Sequence, residues 1–254
     1  MALPALKPAR LPELLAQQLQ QLILEGGFKP GERLPSEREL AQRFAVSRPS
    51  LRAAMQKLEE QGLLLRRQGG GSYVAEPVAE ALAEPLANLL SGAHEVQFDL
   101  LEFRLGLEQI AAYYAALRGT EADFARLRDS VEALTAAGPH ADLATEAAAV
   151  MVFIERMVEA SHNLVLLQVI LGLKGLLVTS IEHNLQLLYQ KPQAVEQVRA
   201  HRRLVLEAII NRQAERAREA VLRHLAFIED TMLVLDREQS RQDRALRRLG
   251  ERAP

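Results

Sequence analysis

Four side chains near residue 50 have the types and spacing to read nucleic acid. Arg48 and Arg52 are four residues apart, so on a helix they share one face, and Ser47 and Ser50 lie beside them. Guanidinium groups donate paired hydrogen bonds to base edges, most readily to guanine, while hydroxyls and helix N-terminal amides hold phosphates. Arg38, further upstream, is predicted to hold the adjacent backbone.

A second group consists of polar side chains on otherwise apolar helical stripes: Arg104, His201 and His224. Their spacing predicts that both imidazoles face inward from consecutive helices. Because a buried guanidinium is costly unless it is paired, Arg104 needs a partner. Glu108, one turn away, would supply a structural ion pair. Alternatively, Arg104 binds a small carboxylate such as a 2-oxo acid, and the histidines supply further donors or ligate a metal.

Helix signals position the first group. Apolar residues between Leu11 and Ile23 recur at three- and four-residue steps and predict an amphipathic helix that ends near Gly26. After a turn at residues 28–31, Ser36 and Glu39 form a capping box. We therefore expect a short second helix directly after Ser36, running to about residue 44.

A third helix and a hairpin follow. Ser47 is its predicted N-cap, proline occupies its first turn, and Gly62 ends it. Two short helices joined by a tight turn have the form of a helix-turn-helix. Short strands then flank the tip formed by Gln68, Gly69 and Gly70, which predicts a wing able to approach a minor groove closely. A phosphate-cradling loop is less consistent with this segment, because it lacks the GxxxxGK[ST] pattern.

Charge is segregated along the chain. The net charge of −2 is the sum of +4 on residues 1–75, −9 on residues 76–236 and +3 on residues 237–254. A basic first third joined to an acidic body is expected when one domain binds a polyanion. We therefore predict a domain that binds a polyanion at 1–75, a second, acidic domain at 76–236, and an arginine-rich tail at 237–254 with no assigned role.

Composition excludes several classes of protein. The chain has no cysteine, which rules out disulfides, thiolate zinc sites and cysteine nucleophiles. Its longest uncharged stretch, residues 160–173, is shorter than the roughly 18 to 20 residues that a membrane span needs. The N-terminus has no apolar core or cleavage site typical of a secretory signal. We expect a cytoplasmic protein with no membrane partner.

The body is predicted to be an all-helical bundle. Apolar stripes place helices at about 77–90, 96–117, 120–137, 142–161, 163–189, 193–212 and 213–239. The predicted fold class is therefore mainly α, with a winged helix-turn-helix of three helices and a hairpin followed by an all-α ligand-sensing bundle.

The segment PGERLPSERELAQRFAVSRPSLRAAMQKLEEQGLLLRRQGGGSYVA closely resembles the winged helix-turn-helix of the GntR family of bacterial transcription regulators. The resemblance covers about residues 10–75. It implies that the residues matching Arg38, Arg48 and Arg52 contact DNA, and that the wing at 68–71 enters the minor groove.

The remainder resembles the all-helical ligand-sensing domain of the FadR-type subgroup. The resemblance lies in Glu102-x-Arg104 with Glu108, in ASHN at 160–163, and in AHRRLVLEAI and RHLAFIED. It implies that residues 76–236 form an effector-binding and dimerisation domain, with an effector site in which Asn163 joins Arg104, His201 and His224.

Many relatives of this domain hold a divalent metal through an Asp and a His four residues apart, joined by two later histidines. The matching positions here are Val150 and Ile154, neither of which can bind a metal. His201 and His224 alone fall short of the usual three protein ligands, so weak or no binding of a divalent metal is expected, and no other cofactor. His162 and His183 are interpreted as surface groups.

The resemblance is more specific at three segments, LLLRRQGGGSYV, EQIAAYYAALRGT and NLQLLY. They imply a repressor of the pyruvate dehydrogenase complex operon whose affinity for DNA falls when pyruvate binds. We expect a homodimer on a pseudo-palindromic double-stranded operator. The alternatives are a regulator that responds to lactate or glycolate, an enzyme that uses the two histidines as acid and base, and an architectural protein without an effector.

Overall fold

A computed structural model of the chain describes residues 10–28, 31–67, 71–75, 95–137 and 142–248. The chain divides into two compact units, residues 1–80 and 81–254. The predicted helix at 77–90 and the domain boundary predicted near residue 76 lie outside the described residues.

Unit 1 contains three helices and a two-stranded sheet: α1 Arg10–Leu24, α2 Glu37–Arg43, α3 Arg48–Glu60, β1 Leu64–Arg67 and β2 Gly71–Val74. The described part of unit 2 is helical: α4 Glu95–Arg118, α5 Glu121–Ala137, α6 Leu143–Ala160, α7 Leu164–Gly172, α8 Lys174–Leu188, α9 Pro192–Ile210 and α10 Ala214–Arg248. The prediction of a mainly α chain is confirmed.

The core of unit 1 lies where α1, α2 and α3 meet the sheet. Leu19, Leu51 and Leu58 are fully buried, and Leu64 and Val74 close the core from the wing. The apolar stripe of α1 is narrower than its sequence predicts, because Leu11, Leu14 and Leu22 stay exposed.

The capping box of α2 is confirmed. The Ser36 hydroxyl accepts a hydrogen bond from the Glu39 amide at 3.3 Å, and the Ser36 amide donates to a Glu39 carboxylate oxygen at 2.9 Å. Two of the amides that a helix start leaves unpaired are satisfied in this way.

The wing is an antiparallel hairpin, as predicted, and pairs Leu64 with Val74 and Arg67 with Gly71. The segment before α2 adds to it, because the Leu34 amide donates to the Ser72 carbonyl at 2.9 Å and the Val74 amide donates to the Glu32 carbonyl at 2.9 Å. The backbone that leads into α2 is therefore tied directly to the wing.

In unit 2, α6 packs against α4, α5, α7 and α8, and α10 packs against α4 and α9. Val150, Met151, Ile154 and Met157 are buried along α6. This central position makes both residues at the family's metal positions part of the apolar core.

Two predicted helices differ from the structure. The helix predicted at 163–189 is two helices, α7 and α8, bent by 66° at Leu173. Gly172 and Gly175 flank the bend, and glycine is a poor helix former. The last helix runs nine residues past its predicted end at 239, to Arg248, with Gln239 bonded to Asp243 at 3.0 Å on the added turns.

Among the described residues, no single helix combines the length and hydropathy needed to cross a bilayer. The bent pair α7 and α8 passes that criterion only when the two helices are taken together.

Candidate nucleic-acid interface and sensor cluster

Five arginines of unit 1 line a shallow groove of about 370 Å³ formed by α2, α3 and the wing. They are Arg33, Arg38, Arg48, Arg52 and Arg66. Ser36 and Ser72 also line it. Because guanidinium groups bind phosphates and base edges, a groove with this lining suits a polyanion.

The start of α3 is held by local hydrogen bonds. The Ser47 hydroxyl accepts from the Ser50 amide at 3.3 Å and lies 2.8 Å from the Ser50 hydroxyl. Leu51 and Ala54 are buried, whereas Arg48 and Arg52 lie on a different, exposed face of the helix. The predicted N-cap of α3 is confirmed, and its buried residues are Leu51, Ala54, Met55 and Leu58.

Arg52 already has a partner within the groove. Its Nε and Nη2 atoms donate to one Glu37 carboxylate oxygen at 3.2 and 2.7 Å. Arg66 approaches the other Glu37 oxygen at 3.6 Å. The hydrogen bond from Arg52 lowers the pKa of Glu37, so this carboxylate is ionised at neutral pH.

Sequence reasoning missed Arg33, Arg66 and Glu37. Strand alternation would place Arg66 on the same face as buried Leu64, but Arg66 is exposed, so the pattern of β1 does not reveal its place in the groove. Arg33 carries no periodic signal, because it reaches the groove through the bridge between its backbone and Tyr73. Arg38 also lines the groove, and its contact with the DNA backbone stays a prediction. The predicted wing-tip contacts Gln68, Gly69 and Gly70 lie outside the described residues.

Unit 2 holds a second polar group, which we call the sensor cluster: Arg104, Glu108, His201, Arg202 and His224. Arg104 and Glu108 are only 3% and 4% exposed, and Arg104 Nε donates to Glu108 Oε1 at 2.8 Å. Of the two partners considered for Arg104, the structure therefore contains the ion pair. This pair uses one of the three guanidinium nitrogens.

Arg202 is the member that sequence reasoning missed. It lies between Val198 and Val205 on the buried stripe of α9 and is 6% exposed. Leu204, two residues further along α9, is 49% exposed. The signal was present, since the spacing of Val198, Arg202, Val205 and Ile209 is helical, but an arginine on an apolar stripe is easily read as a surface residue.

Within the described residues, no acceptor or carboxylate pairs with the Arg202 guanidinium. The nearby acids are committed elsewhere: Glu108 binds Arg104, and Glu146 accepts from the Tyr189 hydroxyl at 2.5 Å and lies 3.8 Å from Arg199. Burial lowers the pKa of Arg202 to about 10, which leaves it charged at neutral pH. Glu146 and Glu108 favour the charged form of Arg202 electrostatically without pairing with it. The sensor cluster itself sets two arginines against one carboxylate, which leaves one positive charge in excess.

The two histidines come together as predicted, with ring centroids 6.4 Å apart. His224 is buried, whereas His201 is half-buried and stacks edge-on against Phe227 at 5.3 Å. Nδ1 of each ring is buried and has no partner among the described residues. Burial, reinforced by Arg202 and Arg104, lowers the pKa of His224 well below its usual range, and burial also lowers the pKa of His201.

The other predicted polar residues have local roles. Asn163 caps α7, since its side-chain oxygen accepts from the Leu166 amide at 3.1 Å. His162 is exposed, and its ring lies 3.0 Å from the Asp123 carboxylate. His183 is half-buried on α8.

The residues at the family's metal positions do not fit a metal. Val150 and Ile154 are apolar and buried at 3% and 2% exposure. In the described part of the chain, no group of three or more His, Asp or Glu side chains has the arrangement of a metal site.

Comparison with known proteins identifies both units. Residues 12–74 match the model of "Bacterial regulatory proteins, gntR family", and residues 99–227 match the FCD domain. The "Putative L-lactate dehydrogenase operon regulatory protein" of Escherichia coli (strain K12) is 36% identical over 248 residues, which is 96% of this chain and 95% of that protein.

The "Glc operon transcriptional activator" of the same strain is 30% identical over 223 residues and covers 87% of this chain and 88% of its own. Among solved structures, a GntR protein of Streptococcus agalactiae superposes with a TM-score of 0.53 at 25% identity, covering 85% of this chain and 97% of its own. The chain belongs to the GntR family of bacterial transcription regulators, carries an FCD domain, and is a DNA-binding regulator rather than an enzyme.

Proposed function

We propose that the chain represses transcription as a homodimer and leaves its operator when the sensor cluster binds a small 2-hydroxy or 2-oxo carboxylate. The excess positive charge at Arg202 carries this proposal. A lone buried guanidinium is costly, and an anion that entered the cluster would remove that cost.

Arg104 and Arg202 are the proposed carboxylate donors. Arg104 has two guanidinium nitrogens beyond the one that binds Glu108, and Arg202 has its whole fork. Planar guanidinium groups match the two oxygens of a carboxylate in bidentate fashion. Binding in a desolvated core makes each of these charge-assisted bonds stronger than it would be at the surface.

The histidines would bind the second functional group of the acid. Because His224 stays neutral at physiological pH, each ring nitrogen either donates or accepts, according to its tautomer. A neutral imidazole can therefore donate to a 2-oxo group or accept from a 2-hydroxyl. No metal enters this arrangement, because Val150 and Ile154 do not supply ligands.

The relatives favour L-lactate as the first acid to test. The relative at 36% identity is named for an L-lactate dehydrogenase operon. The finer prediction of a pyruvate dehydrogenase operon, with pyruvate as effector, finds no counterpart in the names of the relatives described above. We retain pyruvate and glycolate as the compounds against which lactate is compared.

At the DNA, Arg38, Arg48 and Arg52 are the proposed contacts, with Ser47 and Ser50 at the phosphates. Their groove belongs to the unit that matches the GntR model. The five-arginine lining adds Arg33 and Arg66 to this set. A homodimer would present two such grooves to the half-sites of a pseudo-palindrome.

Isothermal titration calorimetry of the full-length protein tests the sensing proposal. L-lactate, pyruvate and glycolate are titrated separately, with and without a chelator. We expect saturable binding of at least one acid, unchanged by the chelator, and loss of that binding in Arg202→Gln. Arg203→Gln is the matched control, since Arg203 is adjacent but exposed.

Two results would overturn the proposal. The first is a wild-type protein that binds none of the three acids. The second is an Arg202→Gln variant that binds an acid as tightly as the wild type and the Arg203→Gln control do.

A further inference from the structure

The C-terminal part of α10 carries a stripe of arginines that the proposed function does not use. Arg237, Arg241, Arg244 and Arg248 are all exposed. We call them the arginine stripe. Their spacing of four, three and four residues places them within about 60° of one another around the helix, over roughly 16 Å of its length.

The stripe faces away from the core of unit 2. The buried residues of α10, from Val221 and Leu225 through Ile228 to Leu235, lie on the opposite side of the same helix. Glu238 and Asp243, the acids of this segment, fall to the flanks of the stripe. Within residues 237–248, no carboxylate forms a salt bridge with any of the four arginines.

Packing does not explain the extension of the helix. Leu235 is the last buried residue of α10, and Leu246 is the one large apolar residue between it and Arg248. A helix that docks on another protein helix needs an apolar seam of several residues. These last turns have none.

The helix dipole explains the positions of only some of these arginines. Cations stabilise a helix within about its last turn. Arg248 fits this role, but Arg237 and Arg241 lie two turns or more before the end of the helix. Four arginines with no lysine among them instead suit bidentate binding of phosphate oxygens.

We propose that the arginine stripe binds the phosphate backbone of double-stranded DNA, as a second contact in addition to the groove of unit 1. Duplex DNA carries about one charge per 1.7 Å of its axis, so a 16 Å row of guanidinium groups faces several phosphates. The contact is independent of sequence, and it does not depend on the sensing of an acid.

The salt dependence of DNA binding tests this proposal. The full-length protein is titrated onto a labelled duplex of scrambled sequence at several salt concentrations, and fluorescence anisotropy gives the affinity. Replacing the four stripe arginines with glutamine should reduce the slope of log K against log salt by about 2 to 4, since each phosphate contact contributes about 0.9.

A matched variant separates the stripe from net charge. Arg203, Arg216, Arg218 and Arg223 are also exposed and lie in the same unit, and their replacement by glutamine removes the same charge. That control should leave the slope near the wild-type value. A variant with four lysines in the stripe should also retain it, because lysine binds phosphate as a point charge.

An unchanged slope in the stripe variant would overturn the proposal, as would an equal reduction in the control variant. Circular dichroism of both variants confirms that α10 is intact. An anionic membrane surface is the alternative partner, and vesicles of phosphatidylcholine with and without phosphatidylglycerol test it. If the stripe variant loses vesicle binding but keeps its DNA slope, the partner is a membrane surface and the proposal fails.

Discussion

At the residue scale, one carboxylate organises the nucleic-acid groove. Glu37 is the one acidic side chain among the residues that line it, and it accepts from two nitrogens of Arg52. A guanidinium held at two atoms has a fixed plane, so Glu37 determines which way Arg52 presents its remaining donors. We therefore regard Glu37 as a positioning residue for base recognition.

Glu37→Gln should weaken binding to a specific duplex and strengthen binding to a scrambled one. The variant loses the pair that orients Arg52, but it also loses a negative charge that repels phosphates. The ratio of the two affinities should fall by roughly 5- to 30-fold, within the range of one bidentate base contact. Anisotropy on a duplex selected in vitro and on its scrambled counterpart measures this ratio.

Glu60→Gln is the control, since Glu60 is exposed at the end of α3 and its removal changes the charge equally. If both variants raise both affinities alike, Glu37 acts through charge alone.

For Arg202 we predict a change in stability: removing its buried charge should stabilise the protein. Arg202→Met replaces a buried charge, for which the described residues supply no partner, with an apolar side chain of similar length. The free energy of unfolding without any acid should rise by about 1 to 3 kcal/mol. Urea unfolding measures it, with Arg203→Met as the exposed control. A less stable Arg202→Met variant would mean that the charge is compensated in the native protein.

At the element scale, the features that local chemistry determines could be predicted from the sequence. The cap at Ser36, the start of α3 at Ser47 and the hairpin each depend on residues close together in the chain. The bend at Leu173 is harder to predict, because the apolar pattern resumes directly after it and the glycines at 172 and 175 weaken a helix without fixing where it breaks.

In the candidate sites, too, some residues could be predicted from the local sequence and others depend on tertiary contacts. Arg48 and Arg52 could be predicted from their place on α3. Arg33 could not, because a backbone bridge to Tyr73 brings it to the groove. The charge on Arg202 becomes informative only when the partners of Glu108 and Glu146 are known, and those partners are tertiary contacts.

Substitutions at Asn163 distinguish a residue that caps a helix from one that contacts a ligand. Asn163→Ala removes the acceptor of the Leu166 amide and should lower the free energy of unfolding by about 1 kcal/mol. Asn163→Ser keeps an acceptor and should retain most of the free energy of unfolding that Asn163→Ala loses. Acid binding by calorimetry should remain at the wild-type level in both variants. Lost acid binding with unchanged stability would instead assign Asn163 to the effector site.

At the scale of the whole molecule, charge is divided between the units. The basic residues 1–75 include the arginine groove, the acidic residues 76–236 include the sensor cluster, and the basic end includes the arginine stripe. The small net charge therefore conceals two basic surfaces in one chain. Regulation by an acid requires that the buried cluster of one unit alters DNA binding by the other.

The stability of the molecule should depend on pH through His224. Its pKa is lowered in the folded protein, so below about pH 6.5 the unfolded chain takes up a proton that the folded chain does not. The free energy of unfolding should therefore be constant with respect to this group above pH 6.5. It should fall below that pH by up to about 1.4 kcal/mol per pH unit.

Urea unfolding between pH 7.5 and 5.5 checks this dependence. His224→Gln should reduce the decline below about pH 6.5 and leave the part due to His201, whose pKa burial also lowers. His183→Gln, which removes an imidazole outside the sensor cluster, should leave the decline as in the wild type. An equal decline in His224→Gln and in the wild type would show that other groups cause it.

The coupling between the two units is measured most directly by DNA binding in the presence of an acid. A duplex selected in vitro by the full-length protein is titrated with and without saturating L-lactate, and then with pyruvate and glycolate. We predict that at least one acid weakens wild-type DNA binding by roughly 5- to 150-fold. Arg202→Gln should bind the duplex as the wild type does without acid and show no response to acid. A wild-type protein whose DNA affinity none of the three acids changes, or an Arg202→Gln variant that responds normally, would contradict the account.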